Sequence, residues 1–297
     1  MTRCIYVNGR YAPYGEAAVH AEDRGFQFGD GVYEVIEVRD GALVDVTRHL
    51  ARLARSLCEL KIAAPMAHGA MLRVFAEVIA RNRVREGTVY LQVTRGTAPR
   101  DFALPQADHP VTFVCLARAA HRARIEARAR VGITVKTVPE MRWARCDLKT
   151  VMLLPSVLAK DAAKSEGAAE AWYVDTAGFV TEGASSNAWI VTHGGELITR
   201  PIANDILAGV TRATLMDVAL QLQVKVTERP FTVAEAVGAR EAFVTSASQI
   251  VMPVVKIDGI AIGEGVPGPV CAQLRAAFHA IAERTPVSSH GPRSLRF

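Results

Sequence analysis

The sequence predicts an α+β fold built as two mixed α/β domains, and three observations carry that expectation. Segments that alternate apolar and polar at every second residue, the pattern of half-buried strands, are interleaved with segments whose apolar residues recur at i, i+3, i+4 and i+7, the pattern of amphipathic helices. Asn-Gly and Asp-Gly pairs fall between strand-like segments, where two-residue hairpin turns belong. An arginine-rich stretch, HRARIEARAR (His121 to Arg130), divides the chain. At 297 residues, half of them hydrophobic, the chain has material for one large or two modest cores. The expected organisation is a smaller α+β domain over 1–120, a connector over 121–130, a larger domain over 131–285 and a disordered tail over 286–297.

In the first domain, IYVNGRYAPYG predicts a hairpin, and VYEVIEVRDGALVDV predicts two strands around Asp40-Gly41. Thr47 is the expected cap of a helix that buries Leu50, Leu53, Ala54 and Leu57 and leaves Arg48, Arg52 and Arg55 in more polar surroundings. A second helix is expected over about 70–82, followed by strands at TVYLQVTRG and VTFVCLA. In the second domain, GITVKTV predicts a strand and Val157 to Ser165 a helix. Short strands follow at EAWYV, GFVTEG, NAWIV and ELITR, then a helix from Thr211, strands at EAFVTS and VMPVVKI, and a closing helix after Pro269. The tail, PVSSHGPRSLRF, is polar and rich in Pro and Gly.

Composition narrows the function. The net charge of +5 permits an anionic partner, but the arginine-rich stretch alternates with alanine and lacks interleaved aromatics, so it marks a solvated connector rather than a nucleic-acid surface. The five cysteines are scattered, with no C-x-x-C pair and no metal-ligand spacing, which suits a reducing cytoplasm and no metal. No apolar run has the length of a membrane span, and the start of the chain lacks the apolar core of a secretory signal.

The chemistry centres on RCDLKTVMLLP (Arg145 to Pro155), which sets Lys149 beside an apolar run. An amine forms a covalent link to a carbonyl only when it is partly deprotonated, and an apolar wall favours that by making the ammonium costly. The other lysines fit plainer roles. Lys160 and Lys164 lie near Asp161 and Glu166 on a solvated helix face, Lys136 and Lys225 alternate with valines, Lys61 follows a helix, and Lys256 precedes the Asp258-Gly259 turn.

Two segments suit an anion. LAGVTRATL places Gly209 and Val210 before a helix whose first turn begins at Thr211, with Leu215, Val218, Ala219 and Leu222 on its buried face; free amides and the Thr211 hydroxyl would bind phosphate, although a plain threonine cap gives the same pattern. The loop TSAS (Thr245 to Ser248) offers further amides and hydroxyls. Glu182 ends a strand beside Gly183, where it is either a turn carboxylate or a partner for a protonated pyridine nitrogen.

Together, EDRGFQFGDGVYEV (Glu22 to Val35), HLARL (His49 to Leu53), QVTRGTAPR (Gln92 to Arg100), RWARCDLK (Arg142 to Lys149), VTEGASSN (Val180 to Asn187), ILAGVTR (Ile206 to Arg212) and FVTSAS (Phe243 to Ser248) resemble, in order and over nearly the whole chain, the fold type IV pyridoxal phosphate aminotransferases, within them those acting on D-amino acids. The resemblance implies two domains with pyridoxal 5'-phosphate between them and a homodimer as the working unit. It implies that Lys149 carries the cofactor and moves the proton. Glu182 would pair with the pyridine nitrogen, and Leu207 would support the ring. Arg52, Val210, Thr211, Ser246, Ala247 and Ser248 would hold the phosphate. Tyr33, Val35, Arg100 and Phe102 would face the substrate, with Arg100 reaching its carboxylate across the subunit interface. The implied reaction moves an amino group from a D-amino acid of the D-alanine type to a 2-oxo acid such as 2-oxoglutarate or pyruvate.

Two residues depart from the family pattern. Phe102 stands where a histidine usually helps to grip the carboxylate, and Ala247 stands where a threonine is common in the phosphate loop. Phe102 gives weight to an (R)-amine transaminase as the alternative. A branched-chain L-amino acid transaminase would require another substrate motif, aminodeoxychorismate lyase would share the lysine, and a basic binding protein would leave Lys149 and Glu182 unexplained.

Overall fold

The structure is a computed structural model that describes residues 3–287. The chain divides into two units, the first holding residues up to His121, Lys149–Val151 and the chain from Glu283, the second holding Arg122–Leu148 and Met152–Ala282. The tail expected over 286–297 begins as structure, since Arg284–Pro286 is a strand; residues 288–297 lie outside the described residues.

The first unit is a seven-stranded antiparallel sheet in the order Arg284–Pro286, Ala42–Val44, Gly31–Arg39, Gly87–Thr94, Thr112–Ala119, Cys4–Val7, Arg10–Pro13. Its hairpins close where the sequence pairs Asn8 with Gly9 and Asp40 with Gly41. All four residues have positive φ, the left-handed backbone that matches the strand twist of a two-residue turn. Helices Val46–Glu59 and His68–Arg81 contribute Leu50, Leu53, Leu57, Met71, Phe75 and Val78 to one core with Val32, Ile36, Val89 and Leu91. Each such side chain contributes about 1.5–3 kcal/mol on burial.

The helix expected to be capped by Thr47 starts two residues earlier, at Val46. Asp45 occupies the cap with φ 52°, and Thr47 is bound through its N–H and hydroxyl to the Glu283 carboxylate, at 3.2 and 2.8 Å. Ala54, expected in the core, is exposed, because the buried stripe runs through Val46, His49, Leu50, Leu53, Ser56 and Leu57.

The second unit is a mixed nine-stranded sheet. Val226–Glu228, Leu197–Thr199, Asn187–Val191, Glu241–Ser246, Ile250–Ile257, Ile133–Pro139, Glu170–Val174 and Val180–Gly183 follow one another, and Ile260–Ala261 pairs with Ile250–Ile257. Central strands buried on both faces, such as NAWIV and EAWYV, read as continuous apolar runs. The arginine-rich stretch is a helix, Arg122–Val131, within this unit; its arginines point to solvent and only Ala129 is buried. Lys160, expected on a solvated face, instead pairs at 2.7 Å with buried Glu170. No helix among the described residues is long and apolar enough to cross a membrane.

Lys149–Val151 belongs to the first unit through backbone pairing. Tyr33 N–H donates to the Lys149 carbonyl and Val151 N–H to the Gly31 carbonyl, both at 3.0 Å, and Val32 bridges Thr150.

Candidate functional site

In the first unit, the strand Gly31–Arg39 sends Val32, Glu34, Ile36 and Val38 into the core and leaves Tyr33 and Val35 half-buried on the opposite face. Glu34 is a fully buried carboxylate in an otherwise apolar row. It survives there because Arg52 and His49, three residues apart on one helix face, both reach it. Arg52 donates from Nε and Nη2 at 2.7 Å, and His49 Nδ1 lies 2.7 Å away. Burial alone would raise the Glu34 pKa, but Arg52 and His49 hold it at about 2. Burial is the main cause that lowers the His49 pKa, the positive charges of Arg52 and Lys149 add to it, and Glu34 opposes it. A neutral imidazole donating from Nδ1 to an anionic Glu34 satisfies both groups.

Lys149 follows from its backbone pairing to Tyr33. Its Nζ lies 4.3 Å from the Tyr33 ring centroid. Tyr33 stacks on Tyr90 at 5.7 Å, and the Tyr90 hydroxyl donates to Gln92 Oε1 at 2.7 Å. Burial, with the neighbouring Tyr33, pushes the Tyr90 hydroxyl up to about 12, so it remains a donor. The apolar wall expected from the sequence is a different one: Met152, Leu153 and Leu154 are 46%, 37% and 67% exposed, and the surface that meets the amine is an aromatic face.

Arg100 and Phe102 sit on one exposed loop of the same unit. The Arg100 guanidinium carbon lies 5.2 Å from the Phe28 ring and 5.9 Å from the Phe102 ring, and the two rings are 5.6 Å apart. Buried Arg24 anchors this loop by donating to the Asp101 carbonyl at 2.6 Å while pairing with Asp30 at 2.9 Å.

The second unit gathers another set. Glu182 is buried near the end of Val180–Gly183. Its carboxylate accepts from Arg142 Nη1, from Asn187 Nδ2 at 3.0 Å and from the Leu207 N–H at 3.1 Å. Asn187 also donates to the Leu207 carbonyl at 2.9 Å, which ties Glu182 to the segment leading into the next helix.

That helix, Val210–Gln221, starts one residue before Thr211, with Gly209 as a cap that supplies no side-chain hydrogen bond. A Cβ on Gly209 would stand 2.0 Å from Asn187 Oδ1, so a larger residue there would require the Asn187 side chain to move. Leu222, expected on the buried face, is half-buried at the end cap. The strand register sets Asn187 opposite Thr245, which places Ser246, Ala247 and Ser248 just beyond Asn187; Ser246 and Ala247 are half-buried and Ser248 is exposed.

The expected residues therefore fall into two sets, Lys149 with Tyr33, Val35 and Arg52 in one unit, and Glu182 with Leu207, Val210, Thr211 and residues 246–248 in the other. Sequence reasoning passes over Glu34, His49, Tyr90, Arg142 and Asn187 as functional residues. For Glu34 the signal is present, a lone charge on the buried face of an alternating strand.

The family model for class IV amino-transferases matches residues 31–257. The D-alanine aminotransferase of Staphylococcus haemolyticus is 38% identical over 280 residues, covering 94% of this chain and 98% of that protein. That of Bacillus licheniformis is 37% identical over 274 residues, covering 92% and 95%. Among solved structures, the branched-chain amino acid aminotransferase from Escherichia coli superposes with a TM-score of 0.85 over 95% of this chain and 94% of that one, at 23% identity, a likeness of fold alone. The T.th. branched-chain amino acid aminotransferase with pyridoxamine 5'-phosphate gives a TM-score of 0.85 at 26% identity, over 94% and 93%.

Proposed function

The chain belongs to the class IV aminotransferases, and from that premise we propose that it moves the amino group of a D-amino acid of the D-alanine type to a 2-oxo acid, as a cytoplasmic homodimer using pyridoxal 5'-phosphate. The observation that carries the D-substrate reading is the similarity to D-alanine aminotransferases over nearly the whole chain. The residues present fit the cofactor. A helix start with no side-chain cap, behind a glycine whose Cβ would displace Asn187, suits a phosphate, and a buried carboxylate on the same framework suits a protonated pyridine nitrogen.

When bound, pyridoxal phosphate supplies an electron sink for the negative charge that develops at the substrate Cα. In this reading the Lys149 amine holds the cofactor, takes the proton from Cα and returns it. Tyr33 orients the amine, because Lys149 Nζ lies against the face of its ring and the ring itself is fixed by Tyr90. Glu182 keeps the pyridine nitrogen protonated, and Leu207 supports the ring. Arg52, aligned by Glu34, binds the phosphate with the Val210 and Thr211 amides, the Thr211 hydroxyl and the loop Ser246, Ala247, Ser248. Arg100 receives the substrate carboxylate.

The stack of Arg100 on Phe28 and Phe102 favours a second reading, an (R)-amine transaminase, because an apolar ring replaces a donor beside the arginine. Single-turnover spectra of the loaded protein with D-alanine, L-leucine and (R)-1-phenylethylamine separate the readings. D-alanine is expected to convert the cofactor fastest; conversion by L-leucine alone would sink the D-substrate reading. Borohydride reduction and peptide mapping should place the cofactor mass on Lys149, and a label on any other lysine overturns that assignment.

A further inference from the structure

The guanidinium that meets Glu182 is shared. Arg142 also donates to Glu140, from Nε at 2.9 Å and from Nη2 at 2.7 Å, and the Thr181 hydroxyl donates to the same Glu140 carboxylate at 2.8 Å. The Glu140, Arg142 and Glu182 side chains are 21%, 13% and 6% exposed, so water screens them weakly. The Tyr173 ring covers the guanidinium at 4.3 Å. Burial would raise the Glu140 pKa, but its bonds from Arg142 hold it below the ordinary carboxylate range. Burial works against the Arg142 charge, yet Glu140 and Glu182 together push its pKa up. One cation thus stands between two carboxylates.

A carboxylate with its own dedicated arginine is a weak attractor of any further proton; a carboxylate that shares that arginine with a second anion is a stronger one. We infer that Glu140 is a positioning residue that sets how strongly Glu182 draws a proton onto the cofactor's ring nitrogen, by taking a share of the Arg142 charge. The inference rests on the reading that Glu182 meets that nitrogen. Glu140 acts at one remove, through the guanidinium.

The test compares two ligands that bind without a covalent link, pyridoxamine 5'-phosphate and its 1-deaza analogue, in which a C–H group replaces the ring nitrogen. Dissociation constants for both are measured on the cofactor-free full chain of the wild type, Glu140→Gln, Glu140→Asp and Glu182→Gln. The wild type should prefer the nitrogen-bearing ligand. Glu140→Gln keeps an oxygen for Arg142 but removes the charge, and should cut that preference by about tenfold; Glu140→Asp should restore most of it. A purely structural role would weaken both ligands alike and leave their ratio at the wild-type value, which overturns the inference. If Glu182→Gln also leaves the ratio unchanged, the reading of Glu182 fails and takes the inference with it; if Glu182→Gln collapses the ratio while Glu140→Gln does not, only the inference fails.

Discussion

Glu34 shows how one buried carboxylate makes the protein sensitive to acid. In the unfolded chain Glu34 has its ordinary value of 4.5 and His49 its ordinary value of 6.5, and folding lowers both. Between the folded and unfolded values the unfolded chain holds more protons, so stability rises with pH there and is lost as pH falls. The contribution of His49 is complete above about 6.5 and declines below it; that of Glu34 is complete above 4.5 and is lost as pH drops toward 2. The Glu34 shift is worth roughly 3 kcal/mol. Glu34→Gln should destabilise the fold by about 3–5 kcal/mol, since Arg52 loses its buried counter-charge, and should flatten the acid limb below pH 4.5 in denaturant titrations carried down toward pH 2. An acid limb as steep as that of the wild type would assign the sensitivity elsewhere. Phe102 is the residue at which specificity is open to measurement. A histidine there adds a donor beside Arg100, and a hydrogen bond to a charged group is worth about 1.5–3 kcal/mol. Phe102→His should raise kcat/KM for D-alanine by about tenfold or more and depress any turnover of (R)-1-phenylethylamine; unchanged values for both would show that the ring does not face the carboxylate.

At the level of elements, what the sequence makes legible is what local chemistry decides. The Asn8-Gly9 and Asp40-Gly41 hairpins and the apolar stripe Leu50, Leu53, Leu57 follow from turn geometry and helical period. The helix start at Asp45 does not, because the group that binds Thr47 is the Glu283 carboxylate, remote in the chain. The helix Arg122–Val131 is likewise hidden, having almost no apolar face to mark it. The helix start after Gly209 is intermediate: LAGVTR announces a glycine before a helix, whereas the reason for glycine is Asn187, which only the folded strand brings near. Gly209→Ala should force Asn187 away from Glu182 and Leu207. Affinity for pyridoxal phosphate is expected to fall at least tenfold, with a cost of about 1–3 kcal/mol in stability. Tight binding in the alanine variant, measured by equilibrium dialysis, would mean that the loop tolerates a Cβ.

The whole chain departs from the sequence reading most clearly at Lys149, expected inside the second domain yet paired with the first unit's strand through Tyr33 and Gly31. Periodicity cannot reveal that, since residues 149–151 have no period of their own and gain their place only from a strand far earlier in the chain. The flanking residues carry an exposed apolar surface. Met152, Leu153, Leu154, Val157 and Leu158 are between 37% and 67% exposed within seven consecutive positions, an apolar cluster of the kind that association covers. The proposed homodimer gives this cluster a partner, and an isologous contact would apply it twice. Sedimentation should then give twice the 32.1 kDa chain mass. A Leu154→Arg, Val157→Arg double variant, which places charge where apolar contact is expected, should shift the protein toward monomer at micromolar concentration. Activity per chain should fall in step with the dimer fraction, because Arg100 is proposed to serve the neighbouring subunit. Full activity in a demonstrated monomer would remove the cross-subunit role of Arg100 while leaving Lys149 and Glu182 untouched.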